Sequence, residues 1–212
     1  MIVEVREVPP FSKNGFVVGC PETRESILID PGDEVEQLLD VVRRRDLTVR
    51  YILLTHAHLD HITGVARAKA ALAAPVGLHR ADEFLYKAVV QQGIAFGFKV
   101  DRQPPLDFYL EEAGQWRFGH QVVSMRHTPG HSPGGVCLAI GPEGEAVRTL
   151  FVGDTLFAGG IGRTDLPGGN LETLLSSIRS VLFAFPDDSV VWPGHGEKTT
   201  IGRERRTNPF LT

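Results

Sequence analysis

The amino-acid sequence predicts an α/β (α+β) fold in which two mixed β-sheets pack together with helices outside them. The chain has 212 residues, which is a normal size for one α/β domain. Hydrophobic residues make up 42% and charged residues 23%, as in ordinary globular proteins. Strand-like and helix-like segments alternate along the chain, and no repeat or Ser/Gly linker divides it. We therefore expect residues 1–212 to form a single domain.

The N-terminal half reads as strands that alternate with amphipathic helices. Alternating or β-branched runs predict strands at 2–8, 15–18, 25–29, 49–54 and 76–79. Helical spacing of apolar residues predicts a helix that ends at Arg44, with Asp33 as its capping residue. Further helices are predicted over 64–74 and 81–92. We interpret residues 93–114 as a long surface connection because they contain Pro104-Pro105 and little periodicity.

Strands dominate the C-terminal half. Runs bounded by Gly or Pro predict strands at 115–118, 121–126, 135–140, 148–152 and 189–192. Between the last two, Asn170 is predicted to cap a helix whose apolar positions from Leu171 to Leu182 share one face.

Charge and cysteine content restrict the partners. The net charge of −4 gives no general attraction to nucleic acid, and the one basic run, near Arg205, is interrupted by Glu204. The N-terminus has no basic and apolar signal pattern, and we expect no membrane partner. Cys20 and Cys137 are expected to be buried hydrophobic residues. With no disulfide framework, the cytoplasm is the expected compartment.

Four potential metal ligands lie within six residues, directly after the strand at 49–54: His56, His58, Asp60 and His61. In an extended segment His56 and His58 point to the same side. A turn or helix before Gly64 would aim Asp60 and His61 at a neighbouring point. The segment can therefore serve two adjacent metals, whereas the alternative is a polar loop that happens to be rich in histidine.

Three later strands end in the same kind of residue, namely His131, Asp154 and His195. Glycine precedes each of them, which permits a tight turn above the strand. Together with the first cluster this gives five His and two Asp, a donor set without Cys that suits zinc, iron or manganese. The other histidines are expected to have packing roles, although His127 could support a ligand.

The motif His-x-His-x-Asp-His, followed by a later His, a later Asp and a final His, resembles the metallo-β-lactamase superfamily. The resemblance implies a four-layer αββα sandwich and a dinuclear centre, with zinc foremost and iron or manganese as alternatives. It places His56, His58 and His131 at the first metal, Asp60, His61 and His195 at the second, and Asp154 as the bridge. It leaves room for a shared hydroxide, which Asp60 would orient and whose proton it would accept. Asp60 and Asp154 are thus the expected catalytic residues.

Residues 127–134, 153–165 and 202–210 resemble the short bacterial glyoxalase II-like proteins. This resemblance implies hydrolysis of S-acylglutathione thioesters, with S-lactoylglutathione converted to lactate and glutathione, and therefore a small-molecule substrate. These 212 residues do not include the C-terminal helical domain with which full-length glyoxalase II binds glutathione. Arg163, Gly169 and Asn170 are the predicted contacts to a substrate carboxylate. An ion pair with Asp165 is the structural alternative for Arg163.

Alternatives stay open at this point. The Gly-Arg-Thr-Asp segment that ends at Asp165 also resembles persulfide dioxygenases, which would hold one iron at His56, His131 and Asp154. A non-catalytic metal-binding protein is a third interpretation. β-Lactam hydrolysis is less favoured because the third motif carries Asp154 rather than Cys. The sequence leaves the metal, the physiological substrate and the oligomeric state open.

Overall fold

The computed structural model describes residues 1–146 and 149–212, which divide into two compact units. The first unit comprises Met1–Leu110 with Phe118–His120, and the second comprises Glu111–Arg117 with Gln121–Thr212. Each unit contributes a six-stranded sheet, so the prediction of two mixed sheets with helices is confirmed.

The sheet of the first unit has the strand order β1-β2-β3-β4-β5-β6. The first three strands pair antiparallel, and β3 to β6 pair parallel. Its strands are β1 Ile2–Arg6, β2 Gly15–Gly19, β3 Glu25–Ile29, β4 Thr48–Leu53, β5 Val76–His79 and β6 Phe108–Leu110.

Five helices belong to the first unit: α1 Val35–Arg44, α2 Leu59–Ile62, α3 Val65–Leu72, α4 Glu83–Lys87 and α5 Val89–Phe96. Helix α1 buries Leu38 and Val42 in a core that also contains Ile52 of β4 and Val65 of α3. Burial of this apolar face, rather than helix propensity alone, stabilises the helix.

Two predictions for this unit are wrong. Asp33 does not cap α1, whose N-cap is Glu34 without a side-chain cap bond, because Asp33 accepts a hydrogen bond from Thr63 Oγ1 at 3.0 Å. The segment 93–114 is not one connection, since α5 runs to Phe96 and β6 pairs with β5. The edge strand β6 has only three residues, too few to show a period.

The sheet of the second unit has the order β14-β13-β10-β9-β8-β7. Strand β10 pairs parallel with β13 and antiparallel with β9. The strands are β7 Gln115–Phe118, β8 Gln121–His127, β9 Val136–Pro142, β10 Thr149–Gly153, β13 Val190–Pro193 and β14 Thr199–Thr200, and a separate hairpin pairs β11 Leu156–Phe157 with β12 Gly160–Ile161. The predicted start of β10 at Arg148 lies outside the described residues.

The described part of the second unit also contains two α-helices, α6 Leu171–Ser180 and α7 Ile201–Thr207. The predicted cap of α6 is confirmed, because Asn170 accepts a hydrogen bond from Thr173 N–H at 2.9 Å. Helix α7 was not predicted, since its charged sequence has no apolar stripe.

Helix α7 is held by Glu204, whose side chain is completely buried. Its carboxylate accepts hydrogen bonds from Thr199 Oγ1 at 2.5 Å, Gly159 N–H at 2.9 Å and Asn208 Nδ2 at 2.8 Å. Glu204 therefore joins the C-terminal helix to the hairpin of β11 and β12.

Both cysteines are buried free thiols, as predicted. Burial raises the pKa of the Cys137 thiol to about 12, so this side chain is neutral at physiological pH. Among the described residues, no helix combines the length and apolar character required to cross a membrane.

Candidate metal centre

The first unit carries four of the seven predicted ligands on one short segment. His56 and His58 follow strand β4 in the connection to α2, and Asp60 and His61 lie in the first turn of that helix. The ring centroid of His56 is 4.9 Å from that of His58 and 4.0 Å from that of His61. All three histidines are buried, and Asp60 is half-buried. The structure therefore brings the three rings together, as the motif predicts.

Asp30 orients this cluster. It was not singled out in the sequence, where Asp30-Pro31-Gly32 has the composition of an ordinary turn. Its completely buried carboxylate accepts hydrogen bonds from Thr55 N–H at 2.7 Å, Thr55 Oγ1 at 2.5 Å and His61 Nδ1 at 2.9 Å. A carboxylate at Nδ1 fixes the imidazole tautomer whose Nε2 carries the lone pair. Since β3 and β4 are parallel neighbours, the residue after β3 lies beside the residues that follow β4. Only this strand topology, which the sequence alone does not provide, identifies the role of Asp30.

The backbone around His58 is held by two further side chains that sequence analysis missed. Asp82 accepts a hydrogen bond from Ala57 N–H at 3.0 Å. Gln92 accepts one from Leu59 N–H and donates one to the Ala57 carbonyl, each at 3.0 Å. These contacts fix the main chain on both sides of His58, which limits the positions that its ring can take.

The second unit carries the other three ligands, each at the end of its own strand. Asp154 follows β10 and His195 follows β13, the two parallel strands, whereas His131 lies in the loop after β8. Asp154 Oδ2 lies 3.6 Å from His131 Nε2 and 3.5 Å from His195 Nε2. The structure thus places one carboxylate oxygen beside two imidazole nitrogens.

His131 is oriented by main chain rather than by a carboxylate. Its Nδ1 lies 2.7 Å from the carbonyl oxygen of Arg163, which must accept the Nδ1 proton and so leaves the lone pair on Nε2. Gly162 permits this approach, since a Cβ there would lie 1.9 Å from the Asp154 carbonyl oxygen and 3.1 Å from His131 Nδ1. His127, the last residue of β8, bonds through Nε2 to the carbonyl of Pro133 at 2.9 Å.

The donor spacing within each unit fits a divalent metal. Two ligands of a tetrahedral ion with bonds of 2.0–2.1 Å are separated by roughly 3.3 Å, longer than a hydrogen bond. His61 Nε2 lies 3.6 Å from Asp60 Oδ2, close to that separation and to the spacings at Asp154. Asp60 and His61 in the first unit, and His131, Asp154 and His195 in the second, thus lie at coordination spacing within their own units. These residues therefore fit metal ions.

Comparison with known proteins assigns the family. The model of the metallo-β-lactamase superfamily matches residues 8–195, a range that includes all seven donors. The chain belongs to the metallo-β-lactamase superfamily. The predicted fold class is thereby confirmed, and we assign this member of the superfamily as a metal-dependent hydrolase.

Two curated relatives carry hydrolase names. The chain is 37% identical to the hydroxyacylglutathione hydrolase GloC of Haemophilus influenzae, over 100% of this chain and 98% of GloC. It is 38% identical to the probable metallo-hydrolase YqgX of Bacillus subtilis, over 96% of this chain and 94% of the relative. The predicted resemblance to glyoxalase II-like proteins is confirmed by the first of these.

Three solved structures of the superfamily extend the comparison. BLEG-1, described as a B3 metallo-β-lactamase, has a TM-score of 0.90 at 36% identity and covers 100% of both chains. TTHA1623, solved in a di-iron-bound form, has a TM-score of 0.86 at 42% identity over 99% of this chain and 100% of its own. ETHE1 from Myxococcus xanthus has a TM-score of 0.80 at 29% identity over 99% and 84%.

The predicted substrate contacts of this superfamily member have other partners in the structure. Arg163 donates from Nε and Nη2 to Asp165 at 2.7 and 2.6 Å, the ion pair that was the structural alternative. These hydrogen bonds lower the pKa of the Asp165 carboxyl to about 2 and raise the pKa of Arg163. Gly169 N–H donates to the Leu166 carbonyl at 2.9 Å, and Asn170 N–H donates to the Gly130 carbonyl at 2.8 Å. Both amide hydrogens are thus bonded within the chain, whereas the side chains of Arg163 and Asn170 are exposed.

Proposed function

We propose that the seven donors form one dinuclear centre, with His56, His58 and His131 at one metal, Asp60, His61 and His195 at the other, and Asp154 shared. The observation that carries the proposal is the position of Asp154 Oδ2, 3.5–3.6 Å from the Nε2 atoms of His131 and His195. A carboxylate shared by two metals must lie near the ligand atoms of both, at the separation expected for atoms that bind one ion. The range of the family match supports the assignment, because it includes every donor.

Zinc is the metal we propose, and iron or manganese would suit the same donors. A donor set of imidazole and carboxylate groups without thiolate does not discriminate among these three metals. The metal that is available to the protein therefore decides which one is bound. The di-iron form of TTHA1623 supports iron as the main alternative.

The reaction we propose is hydrolysis of an S-acylglutathione-type thioester such as S-lactoylglutathione. When bound, two divalent cations lower the pKa of a coordinated water and polarise the substrate carbonyl. Asp60, half-buried beside His61, is positioned to orient the attacking water and to accept its proton. The leaving thiolate has a parent pKa of about 8.5, so the chain need not supply an acid for it.

The similarity to GloC, a hydroxyacylglutathione hydrolase, supports the substrate assignment. Arg163 stays our candidate residue for binding a carboxylate of the substrate. Its guanidinium would do so by leaving its exposed ion pair with Asp165. Two further expectations from the sequence stay predictions: that residues 1–212 form a single domain, and that the protein is located in the cytoplasm.

Metal analysis combined with two assays tests the proposal. Protein purified without chelators or added metal, under low oxygen, is analysed for metal content, and thiol release from S-lactoylglutathione is measured. We expect two zinc, iron or manganese ions per chain and rapid thiol release. Two bound metals without release of thiol from any glutathione thioester would contradict the substrate class while leaving the centre intact.

A persulfide dioxygenase is the second candidate, favoured by the Gly162-Arg163-Thr164-Asp165 segment and compatible with the likeness to ETHE1. It predicts one iron per chain that stays at one when excess zinc is offered, with oxygen uptake on glutathione persulfide. A β-lactam belongs in the same panel because BLEG-1 is described as a B3 metallo-β-lactamase. Protein that binds metal but turns over none of these substrates would favour the non-catalytic interpretation.

A further inference from the structure

A buried ion pair lies beneath the turn that follows β3. Lys13 and Glu34 each expose 2% of their side chains, and Lys13 Nζ lies 2.5 Å from Glu34 Oε1. Lys13 Nζ also donates to the carbonyl oxygen of Asp30, and Glu34 Oε1 accepts a hydrogen bond from Gly32 N–H at 2.9 Å. The pair therefore holds the turn 30–32 at both ends.

The fold makes room for this pair. A Cβ at Gly15 would lie 2.1 Å from Glu34 Oε1, and a Cβ at Gly32 would lie 3.0 Å from both Glu34 Oε2 and Lys13 Cε. Two charges in a dry interior incur a desolvation cost that their attraction often fails to offset, so such a pair is weak evidence for a stabilising role. Its position suggests another role.

The turn held by the pair contacts the ligand segment at three points. The Asp30 carboxylate accepts hydrogen bonds from Thr55 and from His61 Nδ1. The Pro31 carbonyl accepts one from Gly64 N–H at 2.9 Å. At Gly32 the main chain lies so close to the Asp60 carbonyl oxygen that a Cβ would be 2.0 Å away from it. A shift of the turn would therefore move the residues on both sides of His61.

We infer that Lys13 and Glu34 are positioning residues for the metal ligands of the first unit, and that they act through the Asp30 turn. Neither residue belongs to the proposed ligand set or reaction. Asp30 itself has a left-handed backbone, with φ of 49°, which the hydrogen bond from Lys13 to its carbonyl helps to fix. This inference rests on the proposed metal centre.

Metal affinity separates positioning from a merely structural role. The test variants are Lys13→Met, which removes the donor, and Lys13→Met with Glu34→Gln, which leaves neither charge buried. The matched control is Lys87→Met, since Lys87 pairs with Glu83 at 2.7 Å on the exposed surface of the same unit. Zinc affinity is measured by competition with a chromophoric chelator, the cobalt-substituted proteins are compared by visible absorption, and thermal unfolding of the metal-free proteins is recorded.

We expect both test variants to fold and to bind one of the two zinc ions at least tenfold more weakly, the order seen when support of a ligand is lost. The cobalt absorption bands should change, whereas Lys87→Met should match the unaltered protein. Unchanged zinc affinity and cobalt bands in a folded variant would overturn the inference, as would failure of both test variants to fold. If the unaltered protein binds no metal, the proposed function fails instead.

Discussion

The two units support their proposed metal ligands by different means. In the first unit, side chains from distant parts of the chain hold residues 56–61, with the buried Asp30 at His61, and the buried Asp82 and the half-buried Gln92 beside His58. In the second unit the support is main chain, since His131 bonds to the Arg163 carbonyl and Gly162 permits the close approach to Asp154.

Ligand density explains the difference. Four donors within six residues cannot all be aimed by one backbone turn, so the first unit recruits side chains from other elements. In the second unit each donor follows a separate strand or loop, and a turn such as that at Gly153, with φ of 51°, can aim one residue. We conclude that the orientation of the proposed ligands depends on the chemistry of supporting side chains in the first unit. In the second unit it depends on how closely backbone segments can approach.

The largest expected effect follows from Asp30→Asn. Asp30 Oδ1 accepts from Thr55 N–H, and Oδ2 accepts from Thr55 Oγ1 and His61 Nδ1. In either orientation the NH2 group of Asn would therefore face a donor where an acceptor is needed, and the support of His61 would weaken. We expect zinc affinity to fall by roughly 10–100-fold, measured by chelator competition. Asp33→Asn in the same turn is the control, because Asp33 is exposed. Equal affinity in both variants would contradict the proposed role of the side chain.

A smaller effect is expected from Gly162→Ala in the second unit. The new Cβ would meet the Asp154 carbonyl oxygen, so the backbone must shift, with a cost of about 1–3 kcal/mol in the free energy of unfolding. Metal affinity should fall by roughly tenfold as His131 loses its orientation. Gly160→Ala is the control, since a Cβ there meets only Phe157 at 3.7 Å. Identical unfolding midpoints and affinities for the two variants would show that backbone space at 162 is unimportant.

The smallest effect on the metal is expected from Arg163→Ala. His131 is held by the main-chain carbonyl of Arg163, which the substitution keeps, so metal content and affinity should stay within about twofold. If the guanidinium contacts a substrate carboxylate, KM for a charged thioester rises while kcat changes little.

The pH profile provides an additional check on Arg163→Ala. The depressed pKa of Asp165, about 2, keeps its carboxylate ionised above that pH, so the pair is lost only as pH falls through about 2. The shape of the rate profile between about pH 5 and 9 should therefore not change with the substitution. A loss of metal in this variant would mean that the side chain, and not the carbonyl, supports His131.

Four of the seven proposed donors were visible in the sequence as a local cluster, and the other three as residues that follow a glycine at the end of a predicted strand. Most strands could be predicted because their apolar runs are continuous. It did not reveal Asp30, Asp82 or Gln92, since each acts on a residue 25 or more positions away. Their roles depend on which strands are neighbours, and a single sequence does not contain that information. Asp30 in particular has the composition of an ordinary turn, with Pro31 and Gly32 after it.

In the second unit, the contact that Arg163 makes with His131 could not be predicted from the sequence either. The side chain was the feature visible in the sequence, but the atom that contacts His131 is the backbone carbonyl, which every residue type carries. Helix α7 was missed for a different reason: it is short and charged, and a buried carboxylate rather than an apolar stripe holds it.

That buried carboxylate has a consequence for how the chain can diverge. Glu204 satisfies donors from three separate segments, and Asn208, which donates to it, also donates to the Gly160 carbonyl at 3.0 Å. A substitution at either position leaves polar groups of the other segments unsatisfied, so each change is tolerated only beside a compensating one. Among related chains, the residues at positions 204 and 208 should therefore be kept or replaced together. The exposed positions of the same helix should vary independently.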